Sequence, residues 1–135
     1  MSVSLEPTGP HSDLMGARVL GFDRATETVT MAFEVPSVFV TGRGIVQGGL
    51  VAGFLDEVMG WAHVLATDGA EAPLTLDMNM TLLAGIPAGP ISGVGRVVRR
   101  GKRVVFLEGE LHDEAGKLLA RSTSTAMNGP RPAGR

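Results

Sequence analysis

The chain has 135 residues, the size of one ordinary domain, and a formal net charge of −2. It has no cysteine, which excludes disulfides, thiolate metal sites and a cysteine nucleophile. The near-neutral charge, the absence of Tyr and the single Trp argue against a nucleic-acid surface, and with aromatics at 4% the core must be mostly aliphatic.

In chain order, residues 1–16 form a polar lead-in with weak helical potential and no basic-plus-apolar signal region, so a cytoplasmic protein is expected. Ala17 to Asp23 and Thr28 to Val35 alternate apolar and polar residues and predict a hairpin turning near Arg24 to Glu27. A Gly-rich stretch follows, Thr41-Gly42-Arg43-Gly44. From Gly48 to about Thr67 runs an apolar segment too long for a strand, closed by Asp68-Gly69, which predicts one helix. Asp56 and Glu57 at its centre make a membrane span costly. Four strands are then predicted, over Leu74 to Leu83, Ile91 to Arg99, Arg103 to His112 and Leu118 to Met127. Arg100-Gly101-Lys102 and Asp113 to Gly116 mark turns between them. Asn128 to Arg135 is rich in Pro, Gly and Arg and is expected to be a disordered tail.

Short connections favour antiparallel pairing, so the order predicts an α+β domain in which one sheet curls around one central helix. The helix is apolar on every side and must be covered all round. The sheet covers most of it, and the remaining side calls for a second copy of the chain.

Chemistry concentrates in Gly44 to Ala62. Asp56 and Glu57 sit side by side in a helix expected to be buried, about 100° apart around its axis. A buried carboxylate is costly unless paired, so each is either held by a neighbouring strand or kept for chemistry, and the residues alone leave both open. Asp56 has Ala52 and Gly60 one turn away; Glu57 has Gly53 and Trp61. Gln47-Gly48-Gly49 opens the helix, where unpaired N–H groups and the dipole favour a developing oxyanion, although a simple loop-to-helix transition carries the same residues. His11, His63 and His112 lack metal-ligand spacing, and His63 is expected at a polar end or interface. Arg96, Arg99, Arg100, Lys102 and Arg103 cluster on one hairpin, as a solvated turn or as a cradle for phosphates.

Gly48 lies eight residues before Asp56, and the strand Thr75-Leu-Asp-Met-Asn-Met-Thr81 and the run Gly95 to Arg103 follow. Together these resemble the hotdog-fold thioesterases of the phenylacetic-acid-pathway (PaaI-like) type, over about residues 17–127. The resemblance implies hydrolysis of an acyl-CoA, or less favourably of an acyl-carrier-protein thioester, by a homodimer or homotetramer without metal or other cofactor. It implies Asp56 as nucleophile or general base, the Gly48 N–H as the donor to the thioester carbonyl, and Thr75 as the group that holds the water or orients the carboxylate. Gln47, Gly49 and Thr41 would flank the substrate, with Arg99, Arg100, Lys102 and Arg103 near the coenzyme A phosphates. Gln47 stands where the family usually has His, Thr41 where it often has Asn or Gln, and Leu82 to Pro87 replaces the family's Tyr-Leu-Arg-Pro run. Gln can donate a hydrogen bond but cannot titrate. A hotdog module that binds acyl-CoA or a protein without turnover is the alternative expectation; a dehydratase would want a His near the helix.

Overall fold

The computed structural model describes residues 5–132. The elements are helix α1 (Pro10–Met15), strands β1 (Arg18–Asp23) and β2 (Thr28–Val35), a single 3-10 turn at Ser37–Phe39, helix α2 (Gly48–Ala66), and strands β3 (Glu71–Leu82), β4 (Gly89–Arg100), β5 (Val104–His112) and β6 (Leu118–Pro130). All six strands form one antiparallel sheet in the order β1-β2-β4-β5-β6-β3. The sheet wraps α2, which gives the hotdog architecture.

Period-2 patterning fixes which face of each strand meets the helix. Val29, Met31, Phe33 and Val35 on β2, Ile91 and Val97 on β4, and Val105, Leu107 and Leu111 on β5 are buried. They close on Val51, Phe54, Leu55, Val58, Met59 and Ala62 of α2. Each large side chain so buried stabilises by roughly 1.5–3 kcal/mol. The helix lies unusually close to the sheet because β4 and β5 offer glycine beneath it. A Cβ on Gly95 would stand 2.1 Å from the Val58 carbonyl oxygen, and one on Gly109 would stand 2.8 Å from Met59 Cγ.

α2 is the one helix among the described residues long and apolar enough to cross a membrane, but here it is the core helix. Its cover is incomplete: Gly49, Leu50, Gly53 and Asp56 are exposed, along one side. The carboxylates therefore do not share one environment. Asp56 faces outward, contrary to the expectation of burial, while Glu57 is 12% exposed at its side chain.

The C-terminal segment also departs from expectation. Asn128–Pro130 is strand, paired with Pro73, Ala72 and Glu71 of β3, and the Arg131 N–H donates to the Ala70 carbonyl at 3.0 Å. The backbone register of β3 and β6 extends the pairing through a Pro/Gly-rich composition that reads locally as disorder. The rest of the expected tail, residues 133–135, lies outside the described residues.

Candidate active site

The first turn of α2 is organised by Gln47, the residue before it. Gln47 Oε1 accepts from the Leu50 N–H at 3.1 Å, capping the helix. The Gly48 and Gly49 N–H groups have no acceptor among the described residues. They are free donors at the positive end of a nineteen-residue helix. A Cβ on Gly49 would stand 2.9 Å from Gln47 Oε1, so glycine there lets the amide fold over the helix start.

Two turns along, Asp56 Oδ1 accepts from Thr75 Oγ1 of β3 at 2.6 Å. Thr75 is placed by its register opposite Ala126, one of the buried, helix-facing residues of β6, just before the irregularity between Thr75 and Asp77. The bond fixes one carboxylate oxygen and leaves Oδ2 without a hydrogen-bond partner among the described residues.

Glu57, one residue on, is fully occupied. Its Oε1 accepts from the Trp61 indole N–H at 2.9 Å and from Ser12 Oγ at 3.3 Å, and its Oε2 lies 3.2 Å from His11 Nε2. Ser12 Oγ also lies 3.2 Å from His11 Nε2. By residue type this is a Ser-His-Glu group, but His11 Nε2 faces both the hydroxyl and the carboxylate. A relay needs the two ring nitrogens on opposite partners. The cluster ties α1 to α2 instead.

Asp56, Glu57 and Thr75 share a cavity of about 360 Å³ with Gly60, Trp61, Val64, Ala72, Pro73, Arg131, Pro132, Thr8, His11 and Ser12. A larger one, about 510 Å³, lies around Arg96, Glu108, Glu110 and Arg121 on the sheet face away from α2; Arg96 Nε donates there to Glu108 at 2.7 Å. Neither Gly48, Gly49, Gln47 nor Thr41 lines the Asp56 cavity. Eight residues of helix put Gly48 and Asp56 roughly 12 Å apart along the axis.

Three residues of the expected set have partners of their own in the fold. Thr41 turns its hydroxyl into its own loop, donating to the Ile45 carbonyl at 3.0 Å and accepting from the Arg43 N–H at 3.3 Å; a five-residue turn rich in glycine closes on the nearest hydroxyl. Arg100 leaves the hairpin cluster for a two-pronged pair with Glu27, at 2.8 and 2.7 Å. The register irregularity between Val97 and Arg99 sets Arg100 opposite the buried Val105. That pair holds Glu27 below the usual carboxylate range and Arg100 above the usual guanidinium value. Arg99, Lys102 and Arg103 make no ion pair among the described residues. His63 is fully buried rather than terminal: its Nε2 lies 3.0 Å from Glu71 Oε2, Nδ1 has no partner, and burial lowers its pKa against the pull of Glu71. No group of three or more His, Asp or Glu able to hold a metal ion occurs among the described residues.

Trp61, Arg131, His11 and Ser12 are not among the site residues expected from sequence. Only Trp61 carried a signal, four residues after Glu57 on one helix face. The others reach the cavity by tertiary folding.

This architecture matches proteins already known. The pattern of the family described as "Thioesterase superfamily" matches residues 43–120. A structure of a phenylacetic acid degradation-related protein of Ralstonia eutropha JMP134, described as a thioesterase, is 32% identical. The match covers 92% of this chain and 93% of that one, with a TM-score of 0.82. A Saccharolobus solfataricus protein named as an esterase is 24% identical over 108 residues, 80% of this chain and 75% of that protein. The PaaI protein from the phenylacetic acid degradation operon of E. coli, at 16% identity, shares the fold over 89% of this chain and 85% of that one, with a TM-score of 0.76. The helix-wrapped sheet and the match over most of the chain lead to one assignment: the chain belongs to the thioesterase superfamily, as a hotdog-fold hydrolase.

Proposed function

We propose that the chain hydrolyses an acyl-coenzyme A thioester, with Asp56 driving attack on the carbonyl carbon and the Gly48 N–H taking up charge on the carbonyl oxygen. The carrying observation is the contrast on α2: Asp56 is exposed, oriented by one hydroxyl and free at Oδ2, while both oxygens of Glu57 are engaged. In water activation a water adds to the carbonyl carbon as Asp56 takes its proton, the C–S bond breaks, and the thiolate leaves and takes a proton; in direct attack Asp56 displaces the thiolate to form a mixed anhydride that water then hydrolyses, and both routes give carboxylic acid and free thiol. Direct attack and water activation use the same carboxylate. Rapid-quench trapping of an acyl-enzyme in a single turnover separates them, and ¹⁸O from water found on Asp56 would show an anhydride opened at the Asp56 carboxyl carbon. Release of free thiol from a panel of acyl-CoAs tests the activity itself, and a folded protein that cleaves none of them would sink the proposal in favour of a binding module.

The site belongs to a homodimer in this reading. A carbonyl oxygen must sit about 3 Å from its donor and the attacking atom about 3–3.5 Å from the carbon. One Asp side chain cannot bridge the roughly 12 Å to Gly48 in its own helix. An antiparallel partner helix across a two-fold axis would bring the Gly48 of one protomer to the Asp56 of the other. The open stripe of Gly49, Gly53 and Gly60 leaves space for it. β3, at the sheet edge with Leu74 67% and Leu76 54% exposed, offers a strand for pairing. Subunit complementation tests this. Gly48→Pro and Asp56→Ala homodimers should each be nearly inactive, and random reassociation should restore up to about a quarter of wild-type rate, since half the dimers are mixed with one intact site each. Verified heterodimers without recovery would count against a shared site. Arg99, Lys102 and Arg103 are assigned to the coenzyme A phosphates, Arg100 being committed elsewhere.

A further inference from the structure

The cavity beside Asp56 changes character along its length. Near the carboxylate it is small and polar, with Gly60 and Thr75. Beyond it the wall is apolar: Val64, Ala72 and Pro73, with the face of Trp61. Trp61 is buried and its ring is pinned, because its indole N–H donates to Glu57 at 2.9 Å. At the end of this wall stands Arg131, its guanidinium carbon 5.6 Å from the Trp61 ring centroid. Arg131 is anchored through its backbone, which donates to the Ala70 carbonyl at 3.0 Å.

Arg131 makes no ion pair among the described residues. The other basic group of the cavity, His11, is already paired with Glu57. A guanidinium stacked on an aromatic face is held in orientation while its N–H edges stay free for a carboxylate, which it can bind through two parallel hydrogen bonds. The cavity thus offers a reacting carboxylate, an apolar wall and then an uncommitted cation, in that order.

We infer that the acyl group this enzyme accepts carries a second carboxylate at its far end, bound by Arg131. The inference rests on Asp56 being the reacting carboxylate. Trp61 lies five residues beyond Asp56 on α2, a rise of about 7.5 Å. An extended chain advances about 3.8 Å for every three bonds, so this rise takes about six bonds and the fitting acyl group is that of a dicarboxylic acid of about six or seven carbons. The same spacing keeps the terminal carboxylate away from Asp56, and the pinned indole packs against the methylenes between.

The test uses matched acyl-CoA pairs of equal chain length, adipyl against hexanoyl and pimelyl against heptanoyl. Wild type should favour the carboxyl-ended member of each pair in kcat/KM by about tenfold or more, as expected for a charge-assisted pair in a partly enclosed site. Arg131→Gln should erase that ratio, Arg131→Lys should keep part of it, and Arg131→Glu should invert it. Melting curves would show each variant folded, and the ratio within one variant does not depend on how much of it is active. If wild type cleaves the neutral esters with no advantage for the carboxyl-ended ones, the inference is wrong. It is equally wrong if Arg131→Gln lowers both members of each pair by one factor, because the arginine then serves the coenzyme A they share. Absence of cleavage for every thioester would instead remove the reading of Asp56 on which the inference stands.

Discussion

The two long sides of α2 use glycine for opposite purposes. On the sheet side the glycines belong to the strands and the helix fills the space where their side chains would be: a Cβ on Gly93 would stand 3.3 Å from Val58 Cγ2, and one on Gly95 would strike the Val58 carbonyl. On the open side the glycines belong to the helix, and a Cβ on Gly53 or Gly60 meets nothing nearer than 4.0 or 3.8 Å. One set draws elements into contact, the other keeps room. Asp56 and Glu57 fall on either side of the same divide. Glu57 is spent on holding α1 and Trp61, and Asp56 keeps an oxygen free beside the open stripe. Neighbours in sequence are thus separated in role by rotation around one helix.

The largest effect should come from Asp56→Asn, which keeps the shape of the side chain and a partner for Thr75. Turnover should fall by about 10³-fold, roughly 4 kcal/mol of transition-state stabilisation, with the melting temperature nearly unchanged. Glu57→Gln should do the reverse, lowering stability by about 1 kcal/mol in denaturant unfolding and turnover by less than about tenfold. If the two variants exchanged places in a thiol-release assay, the contrast between the carboxylates would collapse.

Next in size, Gly95→Ala should destabilise by about 3 kcal/mol or more, since the obstacle is helix backbone with little freedom to move. Gly53→Ala should leave stability unchanged or raise it by up to about 1 kcal/mol, from helix propensity, and, in the proposed dimer, show its cost in self-association and turnover. Equal stability losses at both positions would mean that the open side is packed within one protomer. A smaller effect is expected for Gln47→His. The ring can replace the amide as a cap worth about 1 kcal/mol, so turnover should stay within about fivefold of wild type. A large loss in a folded variant would show that the Gln47 amide has a role beyond capping.

A graded effect belongs to His63. Burial favours its neutral form, so its pKa in the fold lies below the ordinary value of about 6.5. A depressed pKa means that the unfolded chain takes up the proton first on acidification. The stability it contributes is complete above about pH 6.5 and is lost as pH falls through its folded value. Melting temperature should drop on acidification, and less steeply in His63→Gln; parallel slopes would place the acid sensitivity elsewhere.

The sheet and helix were legible because their signals are local: alternation on β2, β4 and β5, and an apolar run stopped by Asp68-Gly69. The spacing of Gly48, Asp56 and Thr75 was legible through family resemblance, and the structure brings Asp56 and Thr75 together. What could not be read depends on partners far apart in the chain. Ser12 meets Glu57 across 45 residues and Arg100 meets Glu27 across 73. No periodicity encodes such meetings; sheet order and register do. The same holds for Asn128–Pro130, whose composition suggests disorder and whose pairing with β3 makes it strand. Thr41 is a local case that spacing does not reveal, since its hydroxyl bonds within its own turn.

The sheet order also bears on how the protein is made. β3 emerges from the ribosome well before β6, yet β6 is its sole strand partner among the described residues. Until the last strand is synthesised, β3 has no ladder to join and Thr75 no fixed seat against Asp56. A chain cut short before Leu118 would carry Gly48, Asp56 and Thr75 and still lack the strand that seats Thr75. Asp56 is therefore given its hydrogen bond from Thr75 only once β6 is made, and on the proposed mechanism an incomplete nascent chain is not yet set up to act on thioesters.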